Sequence, residues 1–413
     1  MKKRELPTPS TPRINATSFV ELGRSFEKAI QTPNLPIYRT STVLFETLEE
    51  VKATAEAVER GDFGASHYGT IGTPTTFALR EAIAKIEGGG HPCQAVLMPS
   101  GLMAITTLLL SYLKPGDHLL VTDSVYGPTR HFCRGMLSKF GVHTTYYDPT
   151  IVPEDLERLL QPNTRMIFLE SPGSYTFEVQ DVPGICAMAR SHGVMTVIDN
   201  AWGSPLFSRP FDWGVDASVI PLTKYWSGHA DVLMGAVIVR EEHWSPLWRA
   251  VRELGTSVGG DDAGLILRGM RTIDVRMRRH EENALKVARW LQGRPEVGVV
   301  LHPALPTHPQ HELWRRDFRG SSGLFSFELR VNSNGEKPTS RQVAAFCEGR
   351  RYFGLGYSWG GYESLIFPAR IEALRSVKPW KGGPLIRIHV GLEDPDDLIA
   401  DLEEGFLTMA RFS

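Results

Sequence analysis

The sequence predicts an α/β protein: a mostly parallel sheet with helices on both faces, an N-terminal arm before it, and a smaller α+β C-terminal domain. Three observations predict this. Between residues 74 and 245, short apolar runs alternate with amphipathic stretches, the pattern of strands buried on both faces by crossover helices. The first 73 residues carry too little apolar pattern to bury a core of their own. Beyond about residue 271 the alternation gives way to one long helical segment and then strand-like runs. The implied division is an arm over 1–73, a ligand-binding α/β domain over 74–270 and an α+β domain over 271–413.

In the arm, Pro7, Pro9, Pro12, Pro33 and Pro36 break up the chain, and one helix is expected near 48–59. In the body, strands are expected at 95–98, 117–122, 142–147, 165–169, 194–198, 217–220 and 236–239. Helices are expected at 101–113, 129–140, 153–160 and 184–191. In the last part, helices fit 271–293 and 395–406, and strands fit 298–301, 324–329 and 385–390, with a Gly-rich stretch at 354–361. Ligands in such sheets bind beyond the carboxyl ends of the strands.

With 413 residues, 42% hydrophobic and 22% charged, the chain is long enough for sizeable cores. Forty-five basic side chains against 47 acidic ones leave a formal charge of −2, which gives no electrostatic footprint for nucleic acid or an anionic membrane. The basic start, Met1-Lys2-Lys3-Arg4, is followed by no apolar run, and the apolar stretch near 102–113 is too short to span a bilayer. Cys93, Cys133, Cys186 and Cys347 have no metal-ligand spacing and read as small core residues of a cytoplasmic protein, with no metal expected.

Four signals carry chemistry. Lys224 follows an apolar strand in LTKYWSGHAD (222–231), where an amine can form an imine with an aldehyde cofactor. Most lysines are solvated surface groups, but Thr223 and Gly228-His229 favour function here. Asp199 closes the run Val197-Ile198 and suits the pyridinium nitrogen of pyridoxal phosphate, although alone it could equally cap a turn. Ser100-Gly101-Leu102 opens a helix after a strand, a place for a phosphate or for an ordinary N-cap. Tyr126 follows another strand and could stack on a ring or fill the core, with nothing to choose between them.

Together, Ser100-Gly101, Tyr126, Asp199-Asn200 and Thr223-Lys224 resemble the Cys/Met-metabolism family of fold-type I pyridoxal-phosphate enzymes, whose fold is aspartate-aminotransferase-like. The likeness runs from about residue 35 to the end. Its most specific parts are ESPGSYTFEVQD (170–181), GSSGLFS (320–326), GYSWGGYESL (356–365) and LIRIHVGLED (385–394), similar to the bacterial β-lyase subgroup. The resemblance implies Lys224 as the Schiff-base and catalytic lysine, Asp199 on the ring nitrogen, and Tyr126 stacked on the ring with a catalytic part. It implies phosphate contacts from the Gly101 and Leu102 amides, the Thr223 hydroxyl and the Tyr68 of a neighbouring subunit. It further implies Arg387 on the substrate carboxylate and Ser358 and Trp359 along the substrate pocket. The implied reaction is β-elimination at a carbon–sulfur bond, with cystathionine giving homocysteine, pyruvate and ammonia. The implied assembly is a homo-oligomer, a tetramer made of two dimers whose subunits share active sites.

The chain departs from the family at three places. Thr70 and Ile71 stand where many members carry arginines, and Pro221 stands where many carry a phosphate-binding serine. Arg130 and Arg252 are candidate replacements for the lost charge, against the plainer reading of both as surface residues. Competing functions are a broad cysteine/cystine lyase, a γ-lyase or γ-synthase, and a binding protein that keeps the fold. A nicotinamide enzyme is disfavoured because no GxGxxG opens a helix after a strand.

Overall fold

The computed structural model describes residues 14–24 and 32–412. Pro7, Pro9 and Pro12 of the expected arm lie outside the described residues. Seven strands form the larger sheet: β1 (Cys93–Met98), β2 (His118–Thr122), β3 (His143–Tyr147), β4 (Thr164–Glu170), β5 (Met195–Asp199), β6 (Ala217–Ile220) and β7 (Gly235–Arg240). Their order is β1-β7-β6-β5-β4-β2-β3. Only β7 runs antiparallel to its neighbours β1 and β6, so the sheet is mixed but mostly parallel.

The inner strands are apolar on both faces because each face is covered, whereas the edge strand β3 is polar and half-exposed. Leu120, Ile167, Leu169 and Ile198 pack into one core with Leu79 and Ile83 of the helix Pro74–Gly88. The intervening Leu119, Val121, Met166, Phe168 and Val197 pack into another with Ile105 and Leu108 of the helix Gly101–Tyr112. Phe168 is wholly buried. Its truncation to Ala removes about 3–5 kcal/mol, enough to threaten a domain of ordinary stability.

Five strands form the second sheet: β8 (Val297–Leu301), β9 (Leu324–Leu329), β10 (Gly354–Leu355), β11 (Leu365–Ala369) and β12 (Leu385–His389). They lie in the order β10-β11-β12-β9-β8, antiparallel except for β10 and β11. The helix Ile273–Gln292 joins the two units: Ile273 and Met277 sit in the larger core, while Val287 and Leu291 sit with Phe325, Phe327 and Ile388. A second join is polar. Asp123, just past β2, accepts the backbone N–H groups of Ser376, Val377 and Lys378 at 2.9–3.1 Å. Arg375 donates to the carbonyls of Asp123 and Ser174 and to the Thr176 hydroxyl at 2.6–2.7 Å.

The structure corrects several expected elements. The helix expected over 129–140 is an α-helix, Gly127–Phe132, followed by a π-helical turn, Cys133–Leu137. Cys133 and Leu137 of this turn are both buried in the core. The helix expected over 153–160 stops at Glu157. Strand β11 was not expected, because Pro368 masks a run that pairs with β12 along its length. Arg130 is no surface residue: it is fully buried and ion-paired to Asp123 at 2.5 Å. Of the described arm, Phe19 and Val58 are buried in the two cores, whereas Leu44 and Leu48 are each 88% exposed. No helix among the described residues is long and apolar enough to cross a membrane.

Candidate active site

The carboxyl ends of β1, β2, β4, β5 and β6 meet at one edge, and a cleft of about 250 Å³ opens there under β12. Gly101, Leu102, Tyr126, Asp199, Thr223, Lys224, Trp359 and Arg387 all line it.

Lys224 comes off the turn after β6. Its backbone is fixed by a bond from its N–H to the Pro221 carbonyl and one from the Gly228 N–H to its own carbonyl. Its Nζ donates to Ser358 Oγ at 2.9 Å and stands 5.1 Å from the centre of the Trp359 ring. Burial pushes the ammonium down to about 8; the Arg387 charge acts in the same direction and Asp199 opposes it.

Asp199 closes β5 and is 7% exposed. Its Oδ1 accepts the Ala201 N–H at 3.1 Å. Burial raises the carboxyl to about 7, against the pull of that amide and of Lys224. In the register of β4 and β5 it sits beside Glu170. The Glu170 carboxyl is itself raised, first by burial and then by the Asp199 charge, and it accepts the Tyr126 N–H at 2.6 Å. Two buried acids this close cannot both ionise cheaply without a cation between or beside them. Tyr126 precedes the helix Gly127–Phe132, 43% exposed, with its phenol raised by burial and then by Asp199 and Glu170.

The helix Gly101–Tyr112 points its N-terminus at the cleft. Ser100 Oγ takes the Met103 N–H at 3.1 Å, so the Gly101 and Leu102 amides are the ones left for an anion. Glycine is needed at 101, since a Cβ there would lie 2.9 Å from that of Pro221. Thr223 is turned away from this point: its hydroxyl donates to the Met234 carbonyl and accepts the Met234 N–H.

Arg387 lies on β12 and is 9% exposed. Its Nη2 donates to the Gly356, Tyr357 and Ser358 carbonyls at 2.6–3.3 Å. Its Nε and Nη1 make no hydrogen bond among the described residues, and both belong to a side chain that borders the cleft. Two residues along, His389 Nε2 lies 3.1 Å from the Gly360 N–H and from the Gly361 carbonyl. Gly360 has φ +86°, and a Cβ there would meet the Lys224 backbone at 2.9 Å. Arg387 and His389 therefore hold the two ends of the loop that lays Ser358 and Trp359 against Lys224.

Tyr68 is not brought to this cleft within one chain. It is 47% exposed and forms a bridge with Thr42. Arg252 also lies elsewhere, paired with Glu59 at 2.8 Å and bordering Thr70 and Ile71. Glu170, Tyr175, Tyr357 and Leu233 line the cleft and were not singled out from the sequence. For Glu170 a signal existed: like Asp199, it is an acid at the end of an apolar run. Three cysteines are buried and Cys93 is half-buried; burial pushes every thiol up to about 12, so none is a nucleophile near neutral pH.

The residues fit pyridoxal phosphate. A lysine amine, a buried acid short of a partner and a helix start with two open amides border one cleft. Comparison with known proteins agrees. The model of the family described as "Cys/Met metabolism PLP-dependent enzyme" matches residues 16–407. A Rhizobium johnstonii protein provisionally named cystathionine beta-lyase is 47% identical over 90% of this chain and 91% of its own. Cystathionine beta-lyase MetC of Escherichia coli is 41% identical over 94% and 97%. An L-alanine/L-glutamate racemase of Wolbachia pipientis is 40% identical over 93% and 94%. Among solved structures, a cystathionine gamma synthase from Xanthomonas oryzae, in complex with aminoacrylate and cysteine, superposes with TM-score 0.85. It is 32% identical and covers 98% of this chain and all of that one.

Proposed function

The chain belongs to the Cys/Met metabolism family of pyridoxal-phosphate-dependent enzymes, and on that premise we propose that it is a carbon–sulfur lyase acting by β-elimination. Cystathionine, split to homocysteine, pyruvate and ammonia, is the leading substrate. The observation that carries the reading is the placement of Lys224, Asp199 and Arg387 around one cleft in a chain 41% identical to a cystathionine beta-lyase.

Pyridoxal phosphate, when bound, supplies the electron sink that makes the Cα–H and then the Cβ–S bond breakable. Lys224 would carry the cofactor aldehyde at Nζ, and the Asp199 carboxylate would hold the ring nitrogen protonated. The Gly101 and Leu102 amides would hold the phosphate; Thr223 joins them only if its hydroxyl leaves Met234. Tyr126 would face the ring. Arg387 Nε and Nη1 would take the substrate carboxylate as a fork, since Nη2 is already committed. With an ammonium poised near 8, Lys224 can accept the Cα proton as free amine and return one to the departing sulfur. Ser358 Oγ keeps that amine aimed between transfers, and Trp359 walls the site on the same side.

Residues 74–270 act as the cofactor-binding unit, 271–413 as the substrate-clamping unit, and 1–73 as an arm reaching a neighbouring copy. The exposed Leu44, Leu48 and Tyr68 suit that reading, with Tyr68 completing the neighbour's phosphate site in a homo-oligomer of the cytoplasm.

The racemase relative supports a second outcome, because racemisation uses the same proton removal at Cα. One assay tests both. The purified yellow protein, given cystathionine, cystine and cysteine, should release pyruvate at a rate that falls by at least about 10³ in Lys224→Ala. Release of 2-oxobutyrate would mean γ-elimination, and D-alanine formed from L-alanine without pyruvate would mean racemisation. Either result overturns the β-lyase reading.

A further inference from the structure

A second cavity, about 60 Å³, lies between the turn 69–72 and the segment 251–258 and shares no wall residue with the cleft. Arg80 and Arg252 both border it, and no acidic side chain does.

Arg80 is the unusual group. It is 6% exposed, on the helix Pro74–Gly88. Its Nε donates to the Ala95 carbonyl at 2.8 Å. Among the described residues its two Nη groups make no hydrogen bond, and the side chain has no carboxylate partner. Arginine is seldom buried without an anion, because desolvating a charge costs more than one carbonyl returns. Four ring faces help: Phe63, Phe77, Trp244 and Trp248 have centres 5.3–5.7 Å from the guanidinium carbon. That spacing is close to the outer limit of useful cation–π attraction, so the offset is partial. Burial accordingly pushes the guanidinium down to about 10.

Arg252 repeats the pattern on the other side of Trp248, 6.0 Å from the same ring. Its Nη1 is spent on Glu59, while its Nε is buried without a partner. The hydroxyls of Thr70 and Ser257 line the cavity and likewise have no protein partner among the described residues. Two cations and two free hydroxyls thus converge on a space with room for one small anion.

We propose that this cavity binds a single small oxyanion, of phosphate or carboxylate type, held by Arg80 and Arg252. The occupant neutralises the buried charge that the rings leave uncompensated, and it ties the turn beside Tyr68 to the segment 255–258. The site is independent of the lyase reading, and its test reads binding rather than turnover.

The cofactor-loaded enzyme, in phosphate-free buffer at fixed ionic strength, is titrated with inorganic phosphate and followed by calorimetry and by Tm. One saturable site and a rising Tm that chloride does not reproduce are expected. Arg252→Met and Arg80→Lys should each weaken phosphate about tenfold or more, the effect of one charge-assisted bond, with the cofactor absorbance unchanged. Acetate in the same titration separates carboxylate from phosphate as the preferred source. Arg252→Met is partly exposed and keeps the test readable if Arg80→Lys does not fold. Absence of saturable phosphate binding, or binding that Arg252→Met leaves unchanged, overturns the proposal.

Discussion

Replacing Arg387 by Lys separates charge from geometry at the substrate end of the cleft. The wild-type guanidinium divides its work: Nη2 bonds three carbonyls of the 356–358 loop, and Nε and Nη1 are left for the ligand. Lysine at 387 keeps one positive charge but offers a point rather than a fork. At least one charge-assisted bond of about 1.5–3 kcal/mol is lost, which at about 1.4 kcal/mol per decade lowers kcat/KM roughly 10- to 150-fold. A substrate carboxylate is held alike in ground and transition states, so the loss should fall mainly on KM. The loop also loses its anchor, which adds a smaller drop in kcat through Ser358. The assay is steady-state pyruvate release with two substrates that share the amino-acid head, such as cystathionine and cysteine. Both should lose by the same factor, because the head is common to them. A change under about threefold, or a loss confined to one substrate, would refute the assignment of Arg387 to the α-carboxylate.

Other predictions follow from the same geometry. Ser358→Ala should cut kcat about fivefold, the worth of one hydrogen bond of about 1 kcal/mol, and move the Lys224 limb of the pH profile to lower pH. An unmoved limb would show that Ser358 does not hold the amine. In the cofactor-free protein, Asp199 is raised from 3.8 to about 7, so the unfolded chain binds fewer protons within that window and stability falls as pH rises through it. Asp199→Asn should flatten that slope in Tm against pH, and cofactor should protect the wild type more than the variant at pH 8. His389→Leu should lower kcat with a near-normal KM, while His389→Gln, which keeps an acceptor for the Gly360 N–H, should recover most of it. Equal defects in both would make His389 a packing residue only.

How much of this was legible in the sequence depends on the range of the information. Lys224 and Asp199 could be paired because parallel strands place their carboxyl ends on one edge, so an acid ending one strand and a lysine just after a later one come to the same side of the sheet. The covered sheet was equally readable, since both faces of its inner strands are apolar. Glu170 was legible only as an acid ending an apolar run; its place beside Asp199 is set by strand register, which the sequence does not show. Arg130 looked like a surface residue because its burial depends on Asp123 and on Ser376, some 246 residues away. Thr223 was assigned by motif, and the motif does not say that its hydroxyl faces Met234. Tyr68 is a case of a different kind: its proposed partner is on another chain.

The position of Arg387 in the chain has a consequence for synthesis. The proposed substrate clamp, Arg387, sits on β12, and the Asp123 carboxylate accepts amides at 376–378. A nascent or truncated chain can therefore complete the edge that holds Lys224 and Asp199 long before anything can grip an amino acid there. An aldehyde-binding lysine without that clamp would be an indiscriminate catalyst of amine chemistry. Because Arg387 follows Lys224 by 163 positions, selectivity on this reading is acquired after reactivity.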